Sequence, residues 1–266
     1  MIQIRLWTDC YNNCSFCSVG YKSITSIKDK KERIIKVSTL QDSKISIIGG
    51  EFFEGQLKGV EEEWLSMVKN IGCNELFITA NLINEQYLLK ETLKVRPDIL
   101  ICTSYDTVGR FKSEEQKYIW LDRVNSLKNV FCTIIPTEDS LYDSFVDKIQ
   151  CDINLCEPHL GIEWLKSVDK CNYHERLIRE NKLFNLPKRS TLLKWLMKHP
   201  KTLDLMKNYR YNHFNTILSF DFNNNFIYEV CDRFNDDNFM AECGHPHFSK
   251  CYADSERCLI CDIEEI

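Results

Sequence analysis

The sequence predicts an α/β protein built on a parallel sheet, and three observations lead there. Short β-branched runs recur six times in the first 160 residues, the stretches between them space apolar residues at three and four, and the two kinds of segment alternate. Alternating βα units put right-handed crossover helices outside a parallel sheet. Periodicity is compatible with a curved open barrel or a doubly wound sheet and does not separate them; six units are too few for a regular eight-stranded barrel.

The predicted strands are IQIRLW (2–7), KISIIG (44–49), ELFITA (75–80), DILICTS (98–104), NVFCTII (129–135) and CDINLC (151–156). Between them, EEEWLSMVKNI, EQYLLKETLKV, EEQKYIWLDRVNSLK and LYDSFVDKI have the helical period. Beyond about residue 160 the strand signal stops. GIEWLKSVDKCNYHERLIRENKLF and RSTLLKWLMKHP read as helices, the second starting behind Pro187 and stopping at Pro200. ILSFDFNNNFIYEVC then reads as a hairpin turning at Asn223, Asn224 and Asn225, and the last stretch is loop-like and cysteine-dense. The expected organisation is a core over 1–165, a basic helical segment over 166–212 and a cysteine-rich extension over 213–266.

With 266 residues and 44% hydrophobic side chains the chain can bury a sizeable core. No apolar run approaches the roughly 18 residues of a membrane span, and no signal-peptide order opens the sequence, so a cytoplasmic location and no membrane partner are expected. Fourteen cysteines in such a chain point to metal ligation where they cluster, not to a disulfide framework. Cys73, Cys102, Cys132, Cys151 and Cys171 stand singly and read as small buried hydrophobes. The net charge of −5 hides a block structure: residues 166–212 carry 12 basic and 4 acidic side chains, residues 213–266 carry 3 and 11. The +8 block is attracted either to the −8 tail or to an anionic partner.

The segment DCYNNCSFC places Cys10, Cys14 and Cys17 on the loop after the first strand, where parallel βα folds gather ligands. Structural zinc wants four protein ligands, and this loop offers three thiols. Three thiolates suit a four-iron, four-sulfur cluster with one iron left open. The second strand ends in Gly49, Gly50 and Glu51, and adjacent glycines let a backbone approach a ligand closely.

CYNNCSFC, with Phe16 before its third cysteine, resembles the CxxxCxxC signature of the radical S-adenosylmethionine (radical SAM) superfamily, and Gly49-Gly50-Glu51 resembles that family's GGE motif. The resemblance covers residues 1 to about 160. It implies a partial (β/α)6 TIM-type barrel, a [4Fe-4S] cluster on Cys10, Cys14 and Cys17, and S-adenosyl-L-methionine held at the open iron. It further implies an external one-electron donor such as flavodoxin or ferredoxin, and a 5′-deoxyadenosyl radical that abstracts hydrogen from a substrate. Phe16, Gly49, Gly50, Glu51, Asn81, Ser104 and Asn154 are then the expected cofactor-binding residues, Asn81 and Ser104 standing at the ends of the third and fourth strands. Tyr105, Asp106, Arg110 and Glu157 are the expected catalytic residues, with Thr133 and Thr137 also near the cavity.

In the tail, Cys231, Cys243, Cys251, Cys258 and Cys261 crowd together with His245 and His247. The hairpin followed by cysteines resembles a shortened SPASM or twitch-type extension, which implies a second iron–sulfur cluster on Cys243, Cys251, Cys258 and Cys261; the two histidines would suit zinc instead. Asn225 stands where the hairpin of that pattern has glycine. In the basic block, Lys194 and Lys198 share a helical face around Trp195, and with Tyr173, Phe184, Tyr209 and Tyr211 they have the composition of a nucleic-acid-binding surface. A nucleotide or nucleic-acid substrate is therefore one expectation and a peptide, as the twitch resemblance implies, the other. A metal-stabilised nucleic-acid-binding module without catalysis is the reading of a different class.

Overall fold

Each of the six β-branched runs forms a strand: β1 (Ile2–Arg5), β2 (Lys44–Ile48), β3 (Glu75–Thr79), β4 (Leu100–Tyr105), β5 (Val130–Ile134) and β6 (Asp152–Leu155). They belong to a computed structural model that describes residues 2–12, 24–106, 110–134, 138–155, 189–202, 216–221 and 223–228. The helices are α1 (Ile27–Ser38), α2 (Glu61–Asn70), α3 (Leu89–Val95), α4 (Glu114–Ser126), α5 (Glu138–Tyr142) and α6 (Arg189–Lys198). No helix among the described residues is long and apolar enough to cross a membrane.

The strand order settles what periodicity left open. A doubly wound sheet reverses its order in the middle; here β1 to β6 are parallel neighbours in unbroken succession. Right-handed crossovers then put every intervening helix on one face. Among the described residues β1 and β6 do not pair, so the sheet is open, consistent with a partial TIM-type fold.

Register separates the two faces. Ile4, Ile47, Ile78 and Ile101 form one row and are fully buried. Further along the same face, Thr103 Oγ1 accepts a 3.2 Å hydrogen bond from Trp120 Nε1 of α4, which identifies it as the helix-covered side. The opposite face carries Ser46, Phe77 and Leu100 in one row and Thr79, Cys102, Phe131 and Asp152 in the next. It is mixed and partly exposed, as the inner face of an open barrel should be.

Three elements depart from the sequence reading. Helix α1 lacks a broad apolar stripe and was missed: in IKDKKERIIKVS only Ile34 and Val37 among the apolar residues are buried. Its start is set by Ser26, whose hydroxyl accepts from the Asp29 N–H at 3.1 Å. LYDSFVDKI is not one helix but the end of α5 and a 3-10 turn (Val146–Lys148), because Asp143 turns its carboxylate onto the Phe145 N–H at 2.9 Å. Helix α3 starts at Leu89, four residues into its predicted stretch, after Leu88 adopts a left-handed φ of 68°.

The expected hairpin forms as β7 (Thr216–Phe220) and β8 (Phe226–Tyr228), but it joins the core sheet: β7 lies parallel beside β1 and β8 antiparallel beside β7. Its tip is fastened to α1. Asn224, at φ 58° and 3% exposed, accepts from Arg33 Nε at 2.7 Å through its side chain and from Lys36 Nζ at 2.6 Å through its carbonyl, and it donates to Asp29 at 2.7 Å. The position where glycine was expected, Asn225, is not the one that needs the left-handed conformation. In α6, Lys194 and Lys198 are exposed, but Trp195 is buried and stacks on His199 with centroids 3.8 Å apart. Trp195 is therefore a packing residue and not a base-stacking platform; Tyr173, Phe184, Tyr209 and Tyr211 lie outside the described residues, as does Cys171.

Candidate active site at the carboxyl ends of the strands

Chain that leaves β1 runs beside chain that leaves β2, and the contact is intimate. The Gly50 N–H donates to the Trp7 carbonyl and the Glu51 N–H to the Asp9 carbonyl, both at 2.9 Å. A Cβ on Gly50 would stand 1.9 Å from the Asp9 oxygen, and one on Gly49 2.1 Å from the Trp7 oxygen. The two glycines thus permit close approach, but the partner is the backbone that leads into Cys10 and not a ligand. Cys10 itself is partly exposed, and its sulfur accepts the Asn12 N–H at 3.4 Å.

Asp9 anchors the base of this loop. Its carboxylate accepts from the Thr25 N–H at 3.0 Å and from the Thr25 hydroxyl at 2.7 Å, and it pairs with Lys30 Nζ at 2.9 Å; Asp9 and Lys30 are both buried. Lys30 also donates to the Gln56 carbonyl at 3.0 Å. Neither residue was expected from the sequence, although an acid directly before the first cysteine was a visible signal.

Glu51 is buried at the gap between β2 and β3. One carboxylate oxygen accepts from the Phe53 N–H at 3.0 Å, the other from the Asn81 N–H at 2.5 Å. Burial and, after it, the charge of nearby Glu54 push its carboxyl up to about 8, against the pull of those two N–H donors and of Arg110. Asn81 uses its side-chain oxygen on the Ile83 N–H at 3.1 Å, which leaves its buried Nδ2 without a partner among the described residues.

Continuing the register by two residues past β3 sets Asn81 level with Ser104, and Ser104, Thr133 and Asn154 are register neighbours across β4, β5 and β6. Four expected site positions thus share one polar row on the face opposite the described crossover helices, at the edge where Cys10 emerges. Arg110, buried, fastens part of that row: it donates to Ser104 Oγ at 2.8 Å, to the Asn81 carbonyl at 2.9 Å and to Thr103 Oγ1 at 3.3 Å. Asp106 is fully buried directly after β4.

Tyr105 does not join them. It alternates onto the helix-covered face, fully buried, with its ring 5.5 Å from Trp120 and 5.6 Å from Phe145 and its hydroxyl donating to Asp143. Burial and the Asp143 hydrogen bond raise its phenol far above the ordinary range. Asp143 resists its own burial through hydrogen bonds from Tyr105, the Phe145 N–H and Lys117, the last an ion pair of 2.9 Å. The expectation of Tyr105 as a catalytic residue is corrected on these grounds: it belongs to the core. Cys14, Phe16, Cys17, Thr137, Glu157 and the tail residues Cys231, Cys243, His245, His247, Cys251, Cys258 and Cys261 lie outside the described residues.

The sequence reading also missed Glu54, which gathers three hydrogen bonds from two loops: from Asn12 Nδ2 at 2.9 Å, and from the Asn84 N–H at 3.1 Å and its Nδ2 at 2.8 Å. Of the single cysteines described, Cys132 is buried as expected while Cys73, Cys102 and Cys151 are partly exposed; burial still pushes Cys102 and Cys151 up to about 12.

No protein-family model matches the chain, and no curated protein matches it. Solved structures similar to it include a crystal structure of Streptococcus suis SuiB, at 14% identity and a TM-score of 0.44, over 89% of this chain and 65% of that one. A second is Streptococcus suis SuiB bound to S-adenosylmethionine, at 13% identity and a TM-score of 0.44, over 98% of this chain and 69% of that one. The chain thus spans about two thirds of the length of the structures it matches.

Proposed function

We propose that the protein is a radical SAM enzyme that holds a [4Fe-4S] cluster on Cys10, Cys14 and Cys17 and cleaves S-adenosyl-L-methionine reductively. The observation that carries the reading is the backbone pairing of the Cys10 strand end with Gly49-Gly50-Glu51, which puts the first thiol and the acidic motif side by side at the mouth of a singly wound sheet. A structural metal site has no need of that second motif.

The described residues fit such a cofactor. Cys10 is partly exposed and already receives an N–H on its sulfur, as a thiolate ligand would. Asn81 offers a buried amide donor that has no partner among the described residues, suited to a carboxylate or ribose oxygen. Glu51 spends one acceptor site of each oxygen on backbone and keeps the second lone pairs for an ammonium group. When bound, the cluster and S-adenosylmethionine supply one-electron chemistry and a carbon-centred radical. The chain supplies placement. Arg110 holds Ser104 and the Asn81 carbonyl in position, Asp9 and Lys30 fix where the cysteine loop begins, and the polar row Asn81, Ser104, Thr133 and Asn154 lines the approach to Cys10. An ammonium beside Glu51 would favour its ionised form, so its proton leaves as the ligand enters.

The test is anaerobic reconstitution with iron and sulfide, then dithionite and S-adenosylmethionine. The expected products are methionine and 5′-deoxyadenosine, with Cys10→Ala abolishing both. Undiminished cleavage in Cys10→Ala, or none in a wild type carrying four irons and four sulfides, removes the reading.

A further inference from the structure

Asn12 lies inside the cysteine motif yet is 7% exposed, and its two nitrogens face in different directions: the backbone N–H to the Cys10 sulfur at 3.4 Å, the side-chain amide to Glu54 at 2.9 Å. Glu54 is itself held by both nitrogens of Asn84. The segment carrying Asn84 is fixed in turn by Arg123 of α4, whose guanidinium donates to the carbonyls of Leu82 at 3.0 Å, Ile83 at 2.7 Å and Asn84. A continuous chain of hydrogen bonds therefore runs from the helix layer to the first thiol. A solvent-facing asparagine would need no such support.

We propose that Asn12 and Glu54 are positioning residues that hold a backbone N–H on the Cys10 sulfur and thereby set the reduction potential of the iron–sulfur cluster. This rests on the radical SAM reading above. Reduction adds negative charge to cluster and sulfurs, so a donated N–H stabilises the reduced form more than the oxidised one and raises the potential. Releasing the Asn12 side chain frees the backbone N–H to leave the sulfur, and the potential falls. Glu54 acts through Asn12; its own negative charge pulls the other way, so the two effects are separated by a double-mutant cycle and not by single variants.

The experiment is a dithionite-poised redox titration of the full-length protein, followed by electron paramagnetic resonance on the signal that changes when S-adenosylmethionine is added. Asn12→Ala is expected to weaken reduction about tenfold, a downward shift of about 59 mV for one electron. In a Glu54→Ala background the same Asn12→Ala change is expected to shift the potential by less than a third as much, because the tether is already cut. Asn84→Ala, at an exposed position, should move the potential in the same direction by a smaller amount and serves if Asn12→Ala fails to take up iron. Equal shifts in both backgrounds overturn the proposal. So does an unchanged potential in Asn12→Ala, or in Asn84→Ala where that variant alone holds the cluster. A wild type without a four-iron centre overturns instead the functional reading on which it rests.

Discussion

Replacing Gly50 by Ala tests the joint between the first two strand ends. The added methyl would lie 1.9 Å from the Asp9 carbonyl oxygen, so the two backbones must separate by about 1.1 Å to reach even a 3.0 Å contact. The hydrogen bonds from Gly50 N to Trp7 O and from Glu51 N to Asp9 O, each 2.9 Å, would stretch to about 4 Å and be lost. Two such bonds contribute ~1 kcal/mol each, and overpacking costs a further ~1–3 kcal/mol, so a loss of ~3–5 kcal/mol is expected. Urea unfolding followed by circular dichroism measures it as a fall in the midpoint at constant slope. Gly55→Ala is the control: its φ of +94° strains any side chain, but its Cβ would meet nothing nearer than Lys58 at 3.7 Å, so a loss of only ~1–2 kcal/mol is expected. A Gly50→Ala protein within ~1 kcal/mol of wild type, or less affected than Gly55→Ala, would refute the steric argument and with it the tight coupling of Cys10 to the acidic motif.

Glu51 makes stability depend on pH. Its folded value of about 8 exceeds the ordinary 4.5, so the protonated form is favoured by folding; that stabilisation is complete below 4.5 and is lost as pH rises through about 8. Between pH 6 and 8 wild type should lose roughly 2 kcal/mol more than Glu51→Gln in paired urea titrations, at up to ~1.4 kcal/mol per pH unit with the slope easing as pH nears 8, and parallel curves would contradict the assignment. Asp9→Asn leaves the buried Lys30 without its carboxylate and should cost ~3–5 kcal/mol, read from the urea midpoint; a loss below 1 kcal/mol would show the pair to be dispensable. Tyr105→Phe should lower stability by ~1–2 kcal/mol through the lost hydrogen bond to Asp143, which keeps Lys117 and the Phe145 N–H, while 5′-deoxyadenosine formation continues; abolished cleavage in a protein of native stability would return Tyr105 to the chemistry.

The strands were legible because β-branched runs at the right spacing have few alternatives, and all six formed. Their arrangement was not: only the register shows that order never reverses, and only the faces show that Ser104 and Tyr105, neighbours in sequence, serve opposite sides of the sheet. That alternation misled the reading of Tyr105, since a polar aromatic at a strand end gives no sign of which layer it enters. Helix α1 escaped because its buried stripe is too narrow to dominate a charged sequence. At the site, the cysteines and Gly49-Gly50-Glu51 were visible as spacing. Asp9, Lys30, Glu54 and Arg123 were not, because their roles depend on partners up to 42 residues away.

The clasp between Asp9 and Thr25 has an entropic consequence for whatever the intervening thiols bind. Its two ends are sixteen residues apart in the chain yet joined by a 2.7 Å hydrogen bond, with Lys30 securing the same carboxylate from within the protein. Bringing the ends of a free segment of that length together costs ~2.5 kcal/mol in chain entropy, beyond a constant for the first contact. Because folding of the sheet and α1 already closes this ring, the cluster proposed on Cys10, Cys14 and Cys17 would meet a macrocycle and not an open strand. The stability of such a complex would then carry a contribution that belongs to none of its bonds: cutting the clasp should loosen the proposed cluster without touching a single ligand.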